Sequence, residues 1–128
     1  MNVLVLYQND AKDADATAST LSEAGHTSQC ASADSVIDGS DRMEPVDAVI
    51  VCSDIYKEDE TYAVCRRLCE TDMMRETPLL VAVNMYQMPL ANRVKAMPNA
   101  HFIFTPVNAD DLQKRLCMLA ASSAEQHQ

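Results

Sequence analysis

Two short stretches of this chain are uniformly apolar, Ala48–Cys52 and Leu79–Val83, and each is rich in β-branched or aliphatic residues. Runs of this length with no alternation predict strands buried on both faces, the kind found in the middle of a parallel sheet. Val3-Leu4-Val5-Leu6 predicts a first strand of the same type, Thr27 to Ala31 a short and weaker second, and Phe102-Ile103-Phe104 a fifth. Between them the apolar positions change period. From Ala11 to Ala24 the small or apolar residues Ala14, Ala18, Leu21 and Ala24 recur at helical spacing, and Gly25 is a natural stop. Ala33 to Met43 predicts a short helix with Val36 and Ile37 inward and Asp34 as a candidate cap, ended by Pro45. After a charged loop, Lys57-Glu58-Asp59-Glu60, a third helix is predicted from about Thr61 to Glu70, with Tyr62, Cys65, Leu68 and Cys69 on or near one face. Pro89 sits at an N1-like position of a fourth helix reaching about Met97. Asn108 or Ala109 begins a fifth, with Leu112, Leu116 and Leu119 inward. The tail from Ser122 to Gln128 is polar and predicts fraying.

Strand and helix therefore alternate through the chain. Parallel strands need right-handed crossovers, so this order predicts a three-layer α/β/α sandwich, flavodoxin-like, with a five-stranded parallel sheet ordered 2-1-3-4-5. The expected domain is residues 1–121, with 122–128 a polar tail or the start of a linker. In open α/β sheets the site lies past the carboxyl ends of the strands, which points to Cys52, Ser53 and Asp54.

Composition narrows the chemistry. At 128 residues the chain fits one domain with a full core, and five cysteines, an odd number without framework spacing, favour a reducing, cytoplasmic setting. Two glycines exclude a Gly-rich phosphate loop. The net charge is -9 and is uneven: residues 1–60 carry 13 acidic and 3 basic side chains, residues 61–128 carry 6 and 7. The acidic half disfavours nucleic acid and anionic membranes, and the near-neutral half is the better place for a protein contact.

Pro45-Val46-Asp47-Ala48-Val49-Ile50-Val51-Cys52, then Val64-Cys65-Arg66-Arg67-Leu68, then Thr77-Pro78-Leu79-Leu80-Val81, then Asn99 to Val107 with Ala109-Asp110-Asp111-Leu112 stand in one register. In residue type and spacing, over about residues 2–120, the chain resembles a response-regulator receiver domain (CheY-like). The resemblance implies a phosphorelay signalling module of a two-component system. It also implies a pocket of five positions: two acids ending the first strand for a divalent cation, an acceptor aspartate ending the third, a Ser or Thr hydroxyl after the fourth, and a lysine before proline in the fifth. Here those positions fall on Tyr7, Gln8, Cys52, Val83 and Thr105. None carries the expected group. Without the cation ligands and the lysine, a phosphoryl dianion would have no compensating charge. The chain is therefore identified as a degenerate, or pseudo-, receiver: no catalytic residue, no metal, no cofactor, and phosphorylation-independent contact with proteins.

Two alternatives stay open on sequence. Asp54 would be a displaced phosphoacceptor, with Asp10 as one ligand to Mg²⁺, or a solvated loop carboxylate. Cys52 would be a thiol sensor, or a buried small hydrophobe with acids nearby that disfavour a thiolate. Cys65 and Cys69, one helical turn apart, are half a metal site, and neither His26 nor His101 is spaced to complete it. Methionines 73, 74, 85, 88 and 97 gather around the fourth strand and helix, as gap fillers or as an adaptable surface. By resemblance, the fourth helix, fifth strand and fifth helix form the face for a signalling partner or a second copy. Phe102 falls at the family's aromatic switch, and Arg93, Lys95, Asp110, Asp111, Lys114 and Arg115 supply both signs of charge. Thr105-Pro106 falls on a step that is cis in the family; sequence leaves the isomer open.

Overall fold

A computed structural model describes residues 2–8, 12–38, 46–53, 58–70, 77–97, 100–104 and 108–126. Five strands alternate with five helices: β1 (Asn2–Tyr7), α1 (Lys12–Glu23), β2 (Thr27–Ser32), α2 (Ala33–Asp38), β3 (Ala48–Cys52), α3 (Glu58–Glu70), β4 (Leu79–Val83), α4 (Met88–Lys95), β5 (Ala100–Phe104) and α5 (Ala109–Gln126). The strands form one parallel sheet in the order β2-β1-β3-β4-β5, as the alternation predicts. Every residue of β3 and β4 is buried, which is what their unbroken apolar runs require at the centre of a covered sheet.

Side chains alternate across the sheet and divide the core in two. Leu4, Leu6, Val49, Val51, Leu79, Val81 and Val83 meet Val36, Cys65, Leu68, Leu90, Ala91 and Val94 on the side of α2, α3 and α4. Val3, Val5, Ile50, Cys52, Leu80, Ala82 and Ile103 meet Ala14, Leu21, Leu112 and Leu116 on the side of α1 and α5. The side chains of Ile37, Cys69 and Leu119 lie outside the described residues.

The helix ends follow local chemistry. After α1 the Gly25 N–H bonds the Ser22 carbonyl and the His26 N–H bonds the Leu21 carbonyl, at 3.1 and 2.9 Å, with Gly25 at φ +87°. This is a Schellman stop, and the positive φ is where glycine is required. Asn108 Oδ1 accepts the Asp111 N–H at 2.8 Å and caps α5.

Four boundaries depart from the sequence reading. β2 runs directly into α2, so Asp34 lies in the first helical turn rather than before it, where its charge suits the helix dipole. Glu58, Asp59 and Glu60 are helical rather than loop, because acidic residues are favoured in a first turn for the same reason. α4 begins at Met88, which puts Pro89 second rather than first. The backbone of α5 continues to Gln126, through most of the segment whose polarity predicted a frayed tail: Ala120, Ala121 and Ala124 have high helix propensity.

Candidate functional site

The carboxyl ends of β1, β3 and β4 are the place where the parallel sheet would hold a site. Tyr7, at the end of β1, is half-buried and packs on the core beneath α1 and α5. Gln8 follows it. Its Nε2 donates to Thr61 Oγ1 at 2.7 Å and to the Cys52 carbonyl at 3.4 Å. A carbonyl accepts and never donates, so the amide nitrogen, not its oxygen, faces β3. Thr61 is fully buried on α3, and a polar side chain there needs this partner. Gln8 thus ties β1, β3 and α3 together.

Cys52 is 5 % exposed and points to the α1 side of the sheet, where its Sγ lies 3.9 Å from Thr17 Oγ1. It packs with Ile50, Leu80 and Ala82 as a small apolar residue would. Val83 is fully buried toward α3 and α4.

One residue past β3 and β4 a second group of bonds forms. Ser53 N–H donates to the Ala82 carbonyl at 3.1 Å, which extends the ladder between the two strands. Ser53 Oγ donates to Gln87 Oε1 at 2.8 Å, and the Asn84 N–H donates to the same oxygen at 2.7 Å. Gln87 is 2 % exposed. It occupies the N-cap position of α4, but its side chain makes no cap bond. The second helical residue is Pro89, which has no N–H to cap, so the amide is available to the turn instead. The turn is also closed by the Gln87 N–H on the Asn84 carbonyl at 2.9 Å and the Tyr86 N–H on Asn84 Oδ1 at 3.0 Å.

Tyr7, Gln8, Cys52, Ser53, Thr61, Val83, Asn84 and Gln87 carry no formal charge at neutral pH. A divalent cation does not fit these side chains: the amide end of Gln8 that faces β3 is a donor, and it already occupies the Cys52 carbonyl oxygen. Among the described residues no group of three or more His, Cys, Asp or Glu is placed to hold a metal, and Cys65 lies buried in the core beneath α3. Asp10, Asp54, Thr105 and Pro106 lie outside the described residues, so the displaced acceptor and the isomer of Thr105-Pro106 have no structural account. Sequence reasoning missed Thr61 and Gln87. Their signal was present: a threonine and a glutamine at the openings of two helices whose inward positions are otherwise apolar.

On the face of α4, β5 and α5, Phe102 is half-buried, packs toward α4 and meets Phe104 edge to face at 5.3 Å. Lys95, Asp110 and Lys114 are exposed. Arg115 pairs with Asp111 one turn earlier at 3.8 Å. Arg93 is directed to α3: its Nη1 lies 2.9 Å from Asp59 Oδ1, and its guanidinium stacks 3.8 Å from the centre of the Tyr62 ring. Met85, Tyr86, Met88 and Met118 are exposed.

No family model and no curated protein matches the chain. Solved structures do. The receiver domain of a sensor histidine kinase from Pseudomonas aeruginosa, with magnesium in its active-site cleft, is 15% identical, with 93% of this chain and 97% of that one covered at a TM-score of 0.69. A sensor protein from Polaromonas is 16% identical, with 95% and 98% covered at 0.75. A chemotaxis response regulator from Vibrio cholerae is 15% identical, with 93% and 98% covered at 0.70. The chain has the fold of response-regulator receiver domains, CheY-like, over nearly its whole length.

Proposed function

We propose that the chain is a pseudo-receiver module of two-component, phosphorelay signalling, non-enzymatic and cytoplasmic, that acts by phosphorylation-independent contact with proteins. The observation that carries this reading is the Gln8 bridge. At the position where the receiver fold would supply an acid for a cation, a neutral amide donates to Thr61 and to the Cys52 carbonyl. Cation binding through this side chain would have to break both bonds and turn the Gln8 amide around before any ligand bond formed. The solved structure with magnesium in the same fold supplies the contrast. That no helix among the described residues is long and apolar enough to cross a membrane is compatible with the reading.

The proposed contact face is α4, β5 and α5, toward a signalling protein or a second copy. Lys95, Asp110 and Lys114 support it as exposed charges of both signs, and Met88 and Met118 as exposed adaptable apolar groups. The Arg93 side chain is engaged with Asp59 and Tyr62 of α3. Amide NMR titration tests the reading, first with Mg²⁺ and then with beryllofluoride as an aspartyl-phosphate mimic. The expected result is no saturable shift at Gln8, Ser53, Asp54 or Asn84 at millimolar Mg²⁺. Saturable shifts there would mean a working pocket and would overturn it.

A further inference from the structure

We propose that Gln87 is a built-in clamp that holds Ser53, at the carboxyl end of β3, and the Asn84–Gln87 turn after β4 in one arrangement without any ligand. The inference rests on the phosphorylation-independent reading and deepens it. In a site that responds to a ligand, the two loops need freedom to move relative to each other. Here a single buried oxygen, Gln87 Oε1, accepts from both: from the Ser53 hydroxyl after β3 and from the Asn84 N–H after β4. The orientation of the amide is fixed, because a backbone N–H can only donate. Gln87 is 2 % exposed, so opening the clamp would break two hydrogen bonds to a buried residue at once.

The clamp also sets what the surface displays. Asn84 and Gln87 bracket the turn that carries Met85 and Tyr86, and Asn84 closes it from both ends, through its carbonyl to Gln87 N–H and through Oδ1 to Tyr86 N–H. Tyr86 is 91% exposed and Met85 69%. Two large side chains are held outward by a turn whose backbone is bonded internally. The exposed pair is therefore a constant feature of the molecule, not one that appears on activation.

Amide hydrogen exchange and relaxation dispersion on the unliganded protein test this. In the unmodified chain residues 84–88 should show no microsecond–millisecond exchange, and the Asn84 amide should be protected. Gln87→Ala should speed exchange at Asn84 by about tenfold, the scale of one lost hydrogen bond, while Val51, Leu80 and Ile103 in the sheet stay within about twofold. Gln87→Glu keeps an acceptor oxygen and should retain most of the protection. Ser53→Ala, milder at a half-buried position, should give a smaller change in the same direction. Unchanged Asn84 exchange in both Gln87→Ala and Ser53→Ala would overturn the clamp. So would millisecond exchange across 84–88 in the unmodified protein without any response to Mg²⁺ or beryllofluoride, which would leave the phosphorylation-independent reading intact. A saturable response to those ligands would remove that reading instead.

Discussion

The interior of β3 and β4 and the rim one residue beyond it are built on opposite terms. Ala48–Cys52 and Leu79–Val83 are buried throughout and touch helices on both faces of the sheet. Ser53, Asn84 and Gln87 are polar, and their hydrogen bonds run between loops. What the interior needs is general: apolar volume in two layers, which any parallel sheet of this order would need. What the rim needs depends on the task. Carboxylates and a lysine there would manage a dianion; the described amides and hydroxyls Gln8, Ser53, Thr61, Asn84 and Gln87 bond within the protein. Fold and chemistry are specified by different residues, so the fold does not by itself fix the chemistry.

The largest expected effects test that division energetically. Ile50→Ala and Leu80→Ala each remove a large, fully enclosed side chain of the sheet's centre and should cost about 2–5 kcal/mol in urea unfolding. Gln87→Ala at the rim should cost about 1–3 kcal/mol, through the two hydrogen bonds it removes from the half-buried Ser53 and Asn84 donors rather than through lost volume. If the rim variant cost as much as the core variants, the rim would be part of the folding core and the comparison would fail.

The same division explains what the sequence could show. Strand order, layers and the inward residues of α1, α3 and α5 follow from period and burial, which are local and strong signals. The departures were at ends. Glu58–Glu60 looks like loop by charge but is helical, and acidic residues are tolerated well in a first turn. At the candidate site the expectation is one of subtraction: the resemblance gives Tyr7, Gln8, Cys52 and Val83 as positions without the family's groups, and gives no partner for any of them. The bonds from Gln8 to Thr61 and from Ser53 to Gln87 span 53 and 34 residues, and no local pattern couples those pairs. Arg93 was read with the face of α4, β5 and α5, and its pairing with Asp59 depends on the α3–α4 packing that sequence spacing does not give.

Gln8→Asp sharpens the contrast by returning an acid to the rim. A carboxylate can accept from Thr61 but cannot donate to the Cys52 carbonyl, and it brings a charge close to a buried edge. The variant should lose about 1–3 kcal/mol at pH 7 and recover part of it as the carboxyl protonates and regains a donor. Its melting temperature should not rise with millimolar Mg²⁺. A Mg²⁺-dependent rise would mean that one substitution restores a cation site, and that the rim is less committed than its bonds suggest.

Arg93→Ala should have a smaller effect, at most about 1 kcal/mol, since Asp59 is almost fully solvated and the Tyr62 stack is the firmer part of the contact. The loss should shrink in Asp59→Asn but persist in high salt, because stacking is screened less than an exposed ion pair.

The smallest effects concern the thiols, and they ask whether the rim is open at all. Cys52 lies at 5 % exposure against Thr17, whereas Cys30 is exposed on the edge strand β2. Partial burial, and secondarily the nearby Asp15 carboxylate, push the Cys30 thiol above the ordinary value. Its proton is therefore held more tightly in the folded chain than in the unfolded one. The small stability this contributes is complete below the ordinary thiol pKa and is lost as pH rises through the folded value. Alkylation followed by mass spectrometry at pH 8 should label folded Cys30 more slowly than the same residue in urea, and Asp15→Asn should speed it slightly. Folded Cys52 should stay unlabelled until the chain unfolds. Labelling of Cys52 at the rate of Cys30 would show that the Gln8 bridge opens readily to solvent, and the rim would then have to be counted as a pocket after all.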